Sequence, residues 1–328
     1  MLYTPQPSFP GSLPEADVYR NRRRWAGLGN GKTMVVTGAN AGLGFFTSLA
    51  LAEAGAHVVL ACRNQARAER AIEQIRARVP QASLEFMQFD SGSLESAMGL
   101  AAELRSRTVD ALIANAGMIH TPATRQPGLY GFETVMSVNF IGHARLVGEL
   151  ADKFSDHPLR LIGLGSMATR LCRTDPRNLA LEQGYRSYRA YAQSKAALQA
   201  FTISLDHRLR QLSWPGRSLA VHPGYSISGL SIPVANINEP SYSKRLAGQL
   251  QSSFAQGKHQ GAVAAVEAAL NPGLAGLGPG VYLGPKFTSK GRISLASAAK
   301  STRGKTLQDP VWELFVRANE GCDPFRGS

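Results

Sequence analysis

Short apolar runs alternate with longer amphipathic stretches along most of the chain. Runs rich in Val, Ile, Leu and Ala predict buried strands over residues 33–37, 57–62, 84–89, 110–115, 159–164, 218–222 and 281–283. Apolar residues at helical spacing predict helices over residues 45–54, 66–79, 94–107, 131–154, 188–212 and 261–270. Strands that alternate with helices indicate right-handed βαβ crossovers. We therefore predict one α/β domain with a doubly wound, seven-stranded parallel sheet and helices on both faces.

Three segments fall outside this alternation and suggest how the chain is organised. Residues 1–14 carry four prolines and no Lys or Arg, so we predict an extended arm over residues 1–30. The main domain would span residues 31–285. Within it, the polar segment 225–259 follows a strand end, where ligands of such sheets bind, and is predicted to be a substrate lid. Residues 286–328 are predicted to be a basic extension that packs on the same domain.

Composition limits the class of protein. The 328 residues are 44% hydrophobic and 18% charged, which is enough apolar material for a sizeable core. The chain has no uninterrupted apolar run of about 18 residues, so we expect no membrane span, and residues 1–14 do not resemble a signal peptide. Three scattered cysteines predict neither a disulfide framework nor a zinc site, and favour a reducing, cytoplasmic location. The seven histidines show no ligand spacing, so no metal is expected.

The net charge of +13 raises nucleic acid, a membrane surface or an acidic small molecule or protein as partners. The sequence lacks a helix-turn-helix, zinc or RNA-stacking signature, so nucleic acid is disfavoured. Basic residues instead cluster near 20–24, 160–189 and 286–305. We therefore expect an entrance that favours an anionic substrate or an acidic carrier protein.

A glycine-rich turn joins the first predicted strand to the first helix. The sequence Thr37-Gly-Ala-Asn-Ala-Gly-Leu-Gly44 has the spacing Gly-x-x-x-Gly-x-Gly. Glycines at such a turn let the backbone approach a pyrophosphate, which rests on the free N–H groups of the helix. The pattern is also compatible with a simple tight turn, but the strand before it and the helix after it favour a Rossmann-type dinucleotide site.

The end of the second predicted strand discriminates between dinucleotides. An acidic residue there would bind the ribose hydroxyls and select NAD. This chain has Cys62-Arg63-Asn64 instead. Because a guanidinium pairs well with a 2′-phosphate, Arg63 predicts NADP(H). The alternative is a solvated surface arginine.

Candidate catalytic groups lie at residues 166–195. Tyr191 and Lys195 are four residues apart, which on a helix places both on one face. A neighbouring ammonium would lower the pKa of the phenol from about 10, so that Tyr191 could exchange a proton with substrate. Ser166 ends a predicted strand and could hydrogen-bond a carbonyl oxygen. Each feature alone is compatible with an ordinary helix face or a loop serine.

Together these features resemble the short-chain dehydrogenase/reductase family. Residues 37–44, Asn115-Ala116-Gly117, Asn139, Ser166, Tyr191/Lys195 and Pro223-Gly224 follow that family's order and approximate spacing, over residues 32–285. Residues 61–64 and 138–143, and the roughly 25-residue gap from Ser166 to Tyr191, resemble the retinol-dehydrogenase and protochlorophyllide-reductase-like branch. The chain departs from the family pattern at Ala114, Gly163, Gly165 and Ser228; the two glycines near Ser166 either leave room for a bulky substrate or are neutral.

The resemblance implies a role for each matching residue. Tyr191 would be the general acid/base, and Lys195 would lower its pKa and hold the nicotinamide ribose. Ser166 would orient the substrate carbonyl, and Asn139 would support a proton-relay water by kinking its helix. The implied cofactor contacts are Gly38, Asn40, Gly42, Leu43 and Gly44 at the pyrophosphate, Asp90 and Ser91 at the adenine, Asn115, Ala116 and Gly117 at the adenine-ribose wall, and Pro223, Gly224 and Ser228 at the nicotinamide.

The expected activity is that of an NADPH-dependent carbonyl reductase, or the reverse alcohol dehydrogenase, on a moderately large apolar substrate. An Ala-, Arg- and Gly-rich composition indicates a high-GC bacterial source, which favours a ketone of specialised metabolism. A retinoid- or steroid-type substrate is the alternative. A function of another class, a non-catalytic dinucleotide sensor or scaffold, is disfavoured because Ser166, Tyr191 and Lys195 are all present. The resemblance implies a homo-oligomer, with a monomer left open.

Overall fold

The sheet of this protein has eight strands in the order β10-β9-β6-β5-β4-β1-β2-β3. The computed structural model describes residues 24–326, so most of the predicted N-terminal arm lies outside the described residues. Two further short strands, β7 and β8, pair with each other separately. The strands are β1 Thr33–Thr37, β2 His57–Cys62, β3 Leu84–Gln88, β4 Ala111–Ala114, β5 Arg160–Leu164, β6 Arg217–Val221, β7 Ser226–Ile227, β8 Gln256–Gly257, β9 Tyr282–Pro285 and β10 Ile293–Leu295.

The seven predicted strands all form and are all parallel. Strand β1 lies at the centre, where Val36 pairs with Leu60 on one side and with Ile113 on the other. Parallel strands buried on both faces need continuous apolar runs, and this is the pattern that the sequence shows. Strand β10 was not predicted. It pairs antiparallel with β9 at the sheet edge, so the sheet has eight strands rather than seven and is not entirely parallel. It has only three residues in a polar, basic segment and carries no clear apolar signal.

Helices cover both faces of the sheet. Predicted helices 45–54, 66–79, 94–107, 188–212 and 261–270 are confirmed to within a few residues, as α1 (Gly42–Glu53), α2 (Gln65–Arg76), α3 (Leu94–Arg105), α8 (Ser187–Gln211) and α11 (Val263–Leu270). No helix among residues 24–326 is long and apolar enough to cross a bilayer. The helices are α1 Gly42–Glu53, α2 Gln65–Arg76, α3 Leu94–Arg105, α4 Thr134–Met136, α5 Gly142–Glu149, α6 Ala151–Asp156, α7 Ala168–Leu171, α8 Ser187–Gln211, α9 Tyr242–Leu250, α10 Lys258–Gly261, α11 Val263–Leu270, α12 Lys300–Arg303 and α13 Lys305–Ala318.

The long helix predicted over residues 131–154 is wrong as a continuous element. The segment consists of α4, a π-helical stretch Ser137–Ile141, α5 and α6. Leu150 leaves helical geometry (φ −103°, ψ 16°) and separates the last two helices. π-Helical turns widen a helix by one residue and occur often at functional sites. Hydrophobic periodicity does not detect them, because the apolar face continues through the bulge.

The core has two layers, one on each face of the sheet. Alternation along β1 divides its side chains, so that Val35 joins one layer while Met34 and Val36 join the other. The first layer contains the apolar faces of α3, α5, α8 and α13. The second contains those of α1, α2 and α11. The sheet is therefore covered on both sides, and the residues predicted to bind ligands lie at the carboxyl ends of the strands.

The C-terminal helix α13 was not predicted, and Pro310 inside it explains why, since proline ordinarily ends a helix. It packs on α8 through aromatic rings: the Phe201 centroid lies 5.6 Å from that of Trp312 and 5.0 Å from that of Phe315. The Arg145 guanidinium of α5 donates to the Ala318 carbonyl, 3.2 Å away. The helix α13 thus lies against both α8 and α5.

Residues just before β1 are also attached to the domain. Trp25 is buried, and its indole N–H donates to a Glu267 carboxylate oxygen of α11, 3.0 Å away. The Arg24 guanidinium donates to the other oxygen of Glu267 at 2.7 Å. The described end of the predicted arm, residues 24–30, is therefore packed on the domain.

Candidate active site

The glycine turn adopts a conformation that most residues could not. Gly38 (φ +64°) and Gly42 (φ +58°) lie in the left-handed region, which side chains with a Cβ rarely adopt. A Cβ at Gly44 would overlap the Gly38 carbonyl oxygen and lie 2.5 Å from Nδ2 of Asn115. The first two glycines therefore make the turn, and the third allows α1 to pack against β1 and β4.

Thr37 connects the glycine turn to the neighbouring strand end. Its hydroxyl donates to the Ile113 carbonyl at 3.1 Å and accepts from the backbone N–H groups of Asn115 and Ala116 at 3.0 and 2.9 Å. The Asn115 amide in turn donates to the Thr37 carbonyl at 2.7 Å. Sequence reasoning missed this role, although a hydroxyl residue directly before the first glycine of the motif was the available signal.

The amino end of α1 can accept an anion. Its N-cap residue, Ala41, provides no side-chain hydrogen bond, and the first turn contains no acidic residue. The first N–H groups of a helix lack partners within the helix and carry the positive end of its dipole. Asn40 and Leu43 flank these groups and are partly exposed. The donors and the space left by the glycines fit a dinucleotide pyrophosphate.

Arg63 and Asp90 lie at adjacent strand ends, after β2 and β3. The Arg63 side chain is 76% exposed, and its Nη1 lies 3.9 Å from Oδ2 of Asp90, a long ion pair that leaves the guanidinium available. Asp90 Oδ1 accepts from the Gly92 N–H at 2.9 Å, which fixes the loop. Ser91 is buried, and its backbone packs directly on Gly142. The predicted adenine and 2′-phosphate contacts therefore lie together.

The hydroxyl groups of Ser166 and Tyr191 are in contact at the carboxyl edge of the sheet. Ser166 follows β5, and Tyr191 lies in the second turn of α8, with its phenol oxygen 3.3 Å from Ser166 Oγ. Both side chains are half-buried and so remain open to a substrate. The Ala168 N–H also donates to Ser166 Oγ at 3.2 Å. Because the Ser166 hydroxyl accepts both bonds, its own hydrogen is free to donate to a substrate oxygen.

Lys195 lies one turn further along α8 and is buried. Its ammonium donates to the Leu164 carbonyl at 2.9 Å, which anchors the helix to the end of β5. A Cβ at Gly117 would lie 3.5 Å from Lys195 Nζ and 3.0 Å from Asn139 Oδ1. Gly117 thus leaves space beside both groups.

Asn139 lies in the π-helical stretch and connects two parts of the site. Its side-chain carbonyl accepts from the Met118 N–H at 2.6 Å, and its amide donates to the Ser194 hydroxyl at 2.9 Å. Ser194 then donates to the Tyr191 carbonyl at 2.9 Å. The amide of Asn139 therefore fixes the position of α8 at Tyr191. Sequence reasoning missed the connecting residue, Ser194.

The pKa of Tyr191 differs from the sequence-based expectation. Burial raises the pKa of the Tyr191 phenol, and the hydrogen bond to Ser166 only partly opposes this. Burial also lowers the pKa of Lys195 to about 8, so its ammonium is still mainly charged at neutral pH. The expected lowering of the tyrosine pKa by Lys195 is not among the causes of this shift, and the ammonium donates to the Leu164 carbonyl.

Pro223, Gly224 and Ser228 lie beyond β6, beside the proposed nicotinamide position. The Pro223 carbonyl accepts from the Gln256 amide and the Ser226 hydroxyl, both at 2.7 Å. Gly224 packs against the Ser289 carbonyl, where a Cβ would overlap it. Ser228 begins a short 3-10 turn, Ser228–Leu230. The strand end is therefore fixed by the lid and by the loop between β9 and β10.

The two glycines before Ser166 neither leave room for substrate nor are neutral. A Cβ at Gly163 would overlap Thr202 Oγ1, and one at Gly165 would lie 2.7 Å from Gln199 Oε1. Both partners belong to α8, and both are buried. These glycines allow the helix that carries Tyr191 to approach β5 closely.

The predicted lid contains two kinds of apolar residue. Val234 is fully buried in the core layer of α1, and Ile232 and Ile237 pack against that layer. Leu246 and Leu250 on α9 are exposed, as is Phe254, whose ring stacks on Tyr225 at 5.9 Å. The first half of the lid therefore packs against the core, and the second half presents an apolar surface next to Pro223 and Gly224.

The fold and this constellation define a dinucleotide-dependent oxidoreductase with a serine, a tyrosine and a lysine at the carboxyl edge of a Rossmann-type sheet. A model of the short chain dehydrogenase family matches residues 32–231. The chain belongs to the short-chain dehydrogenase/reductase family, in its retinol-dehydrogenase-like branch.

Individual relatives agree with this placement. The chain is similar to retinol dehydrogenase 14 of Mus musculus, with 32% identity over 285 residues that cover 81% of this chain and 82% of the relative. An uncharacterised protein of Mycobacterium paratuberculosis has a similar structure (TM-score 0.69, 28% identity, 89% of this chain and 94% of that chain). So does a protein of Beutenbergia cavernae assigned as an NAD(P)-dependent gluconate 5-dehydrogenase, with bound NADP at low occupancy (TM-score 0.58, 25% identity, 78% and 95% covered).

Proposed function

We propose that this protein is an NADP(H)-dependent carbonyl reductase, or the corresponding alcohol dehydrogenase, with Tyr191 as general acid/base. The observation that carries the proposal is the 3.3 Å contact between the Tyr191 and Ser166 hydroxyls. It lies at the same carboxyl edge of the sheet as the dinucleotide-type glycine turn. The exposed Arg63 guanidinium supports NADP(H) over NAD(H), and the NADP bound to the Beutenbergia cavernae relative is consistent with it.

The side chains account for the steps at the carbonyl. The bound nicotinamide supplies the hydride. Ser166 donates its free hydroxyl hydrogen to the carbonyl oxygen and so stabilises the negative charge that develops there. Tyr191 keeps its proton at neutral pH because burial raises the pKa of the phenol, and it transfers that proton to the new alkoxide. Lys195 retains hydrogens that are not used by Leu164 and holds the nicotinamide ribose.

We propose a moderately large, apolar substrate. The exposed apolar side chains at positions 242, 246 and 250 recur at four-residue spacing on α9, and the stacked pair Tyr225 and Phe254 continues this surface toward Gly224. A ketone of specialised metabolism would fit it. A retinoid- or steroid-type substrate is the second candidate, and the similarity to retinol dehydrogenase 14 favours it.

An anionic or carrier-bound form of the substrate is supported by the basic rim of the site. The two basic segments, 160–189 and 286–305, meet where the Arg170 guanidinium donates to the Ser297 carbonyl. Arg170 belongs to α7, which directly follows Ser166 and Met167. A rate on anionic ketones that falls with ionic strength, beside an unchanged rate on neutral ketones, is the expected result. Equal insensitivity of both rates to salt would contradict it.

We further propose a monomer that works in the cytoplasm. The resemblance to the family implies subunit pairing through the helices that carry Asn139 and Tyr191/Lys195. In this chain α13 contacts α8, which carries Tyr191 and Lys195, and α5, which directly follows the stretch that carries Asn139. The cysteines Cys62, Cys172 and Cys322 are free, as in a reducing compartment. Light scattering at micromolar concentration would test the monomer.

The proposed reaction is tested by Tyr191→Phe, with Tyr188→Phe as a matched control on the same helix. NADPH oxidation would be followed over a panel of neutral and anionic ketones that includes retinoids and steroids. Loss of the phenolic proton should lower turnover by at least about 100-fold and leave the NADPH dissociation constant unchanged. Tyr188→Phe should keep wild-type turnover. Undiminished turnover in Tyr191→Phe would refute the role assigned to Tyr191. A wild-type protein that binds NADPH but reduces no ketone of the panel would instead favour the non-catalytic dinucleotide-binding function.

A further inference from the structure

The side chain of a lysine in the lid lies close to the glycine turn. Lys258 is the first residue of α10, and its Nζ and Cδ would lie 3.7 and 3.9 Å from a Cβ placed on Gly42. Gly42 is also the first residue of α1, whose first turn has no side-chain cap and no acidic residue. The ammonium of Lys258 and the amino end of α1 therefore lie at one place, although more than 200 residues separate them in the sequence.

Hydrogen bonds fix the backbone that carries this lysine. The Lys258 N–H donates to the Ser231 hydroxyl at 2.8 Å, and the Gly257 N–H donates to Gln260 Oε1 at 2.9 Å. The preceding residue, Gln256, is held by the Pro223 carbonyl at 2.7 Å. The backbone of Lys258 is therefore held near Pro223, which would face the nicotinamide. These hydrogen bonds involve no atom of the Lys258 side chain.

The helix α10 also packs tightly on α1. A Cβ at Gly261 would lie 2.9 Å from Leu43 Cδ2 and 2.9 Å from the Pro223 carbonyl oxygen. The ring of His259 contacts that of Phe46 at a centroid distance of 5.9 Å. Because close packing leaves little room for α10 to move away, the ammonium stays beside the glycine turn.

The ammonium of Lys258 has no counter-ion within the part of the chain that the structure describes. No carboxylate forms an ion pair with it there, and the charged group that affects it most is another cation, Lys244. Partial burial and this repulsion lower the pKa of Lys258. A half-buried cation without a partner is costly, and a ligand that carries negative charge would relieve that cost.

We propose that Lys258 binds the pyrophosphate of the dinucleotide, closing the glycine turn from the lid side. The inference rests on the proposed dinucleotide-dependent function and adds to it a cofactor contact that lies outside the motifs. A charge-assisted hydrogen bond from Nζ to a phosphate oxygen would oppose the N–H groups at the start of α1. Since NADPH and NADH share the pyrophosphate, Lys258 contributes equally to both and leaves selectivity to Arg63.

The test is the dissociation constant of the full-length protein for NADPH, NADH and 2′-AMP, measured by calorimetry for wild type, Lys258→Met, Lys258→Arg and Lys244→Met. Lys258→Met should weaken both dinucleotides by the same factor, roughly tenfold to a hundredfold, and Lys258→Arg should restore most of the loss. Binding of 2′-AMP, which lacks the pyrophosphate, should not change. Lys244→Met should bind like wild type, and circular dichroism would establish that each variant is folded.

The outcomes separate this inference from the proposed function. A wild-type protein that binds neither dinucleotide would refute both. If the wild type binds NADPH and Lys258→Met binds it equally well, the inference alone fails. It also fails if 2′-AMP is weakened to the same extent, or if Lys244→Met loses as much affinity as Lys258→Met, because general surface charge would then explain the effect.

Discussion

The phenol oxygen of Tyr191 lies 3.3 Å from the hydroxyl of Ser166, although the two residues belong to different elements 25 positions apart. Ser166 follows β5, and Tyr191 lies in the second turn of α8. This helix packs closely on β5 because Gly163 and Gly165 leave space for Thr202 and Gln199. The contact is therefore produced by helix-on-sheet packing. It also affects the protonation of the tyrosine, since the hydrogen bond to Ser166 lowers the pKa of the phenol and partly opposes the larger effect of burial.

Replacing Ser166 by Ala should shift the pH dependence of alcohol oxidation. In this direction Tyr191 must act as a base, so the rate rises with pH as the phenol loses its proton. Removal of the hydrogen bond raises the pKa of Tyr191 further, and the rising limb should move to higher pH in addition to a fall in turnover. The measurement is the pH profile of kcat for wild type and variant.

A serine elsewhere on α8 provides the control for that experiment. Ser187 donates its hydroxyl to the Pro122 carbonyl at 2.7 Å, away from the phenol. Ser187→Ala should keep the wild-type pH profile. A rising limb at the same pH in Ser166→Ala and wild type would contradict the role assigned to the 3.3 Å contact.

Replacing Arg63 by Gln should reduce the preference for NADPH. The guanidinium is exposed beside the end of β2 and is only weakly held by Asp90, so its loss removes a charge-assisted bond to the 2′-phosphate. We expect the NADPH dissociation constant to rise roughly tenfold to a hundredfold, with NADH binding unchanged. Arg67→Gln, a neighbouring exposed arginine on α2, is the matched control. Parallel losses for NADPH and NADH would argue against 2′-phosphate recognition.

Replacing Gly44 by Ala should destabilise the protein and weaken dinucleotide binding together. The new Cβ would overlap the Gly38 carbonyl and crowd the Asn115 amide, so the turn must move away from β4. We expect a loss of about 1–3 kcal/mol in the free energy of unfolding. Thermal and urea denaturation would measure it.

Gly99 is a control position, because an added methyl group there would contact no other atom. It lies in α3 with no atom within 4 Å of an added Cβ. Gly99→Ala should therefore stabilise the protein by about 0.5–1 kcal/mol through helix propensity and leave cofactor binding unchanged. Similar stability changes in both alanine variants would show that the close approach at Gly44 is unimportant.

Some sequence predictions depended on local signals, and the structure agrees with most of these. The seven parallel strands and five of the helices follow from apolar runs and periodicity, which reflect burial on both faces of the sheet. The interruption of residues 131–154 was missed because a π-helical stretch keeps its apolar face. Helix α13 was not predicted because it contains Pro310, and proline ordinarily ends a helix. Strand β10 was not predicted because a three-residue strand at the sheet edge has too few apolar residues to form a recognisable pattern.

The sequence by itself determined the class of fold, the glycine turn and the identity of the residues at the strand ends. These depend on backbone conformation and on spacing along one element, which short stretches of sequence specify. Only the tertiary structure decided that Tyr191 meets Ser166, that Lys195 donates to the Leu164 carbonyl and that Lys258 reaches Gly42. The pKa values of Tyr191 and Lys195 likewise depend on burial, which arises when separate elements pack together and exclude water from the groups between them.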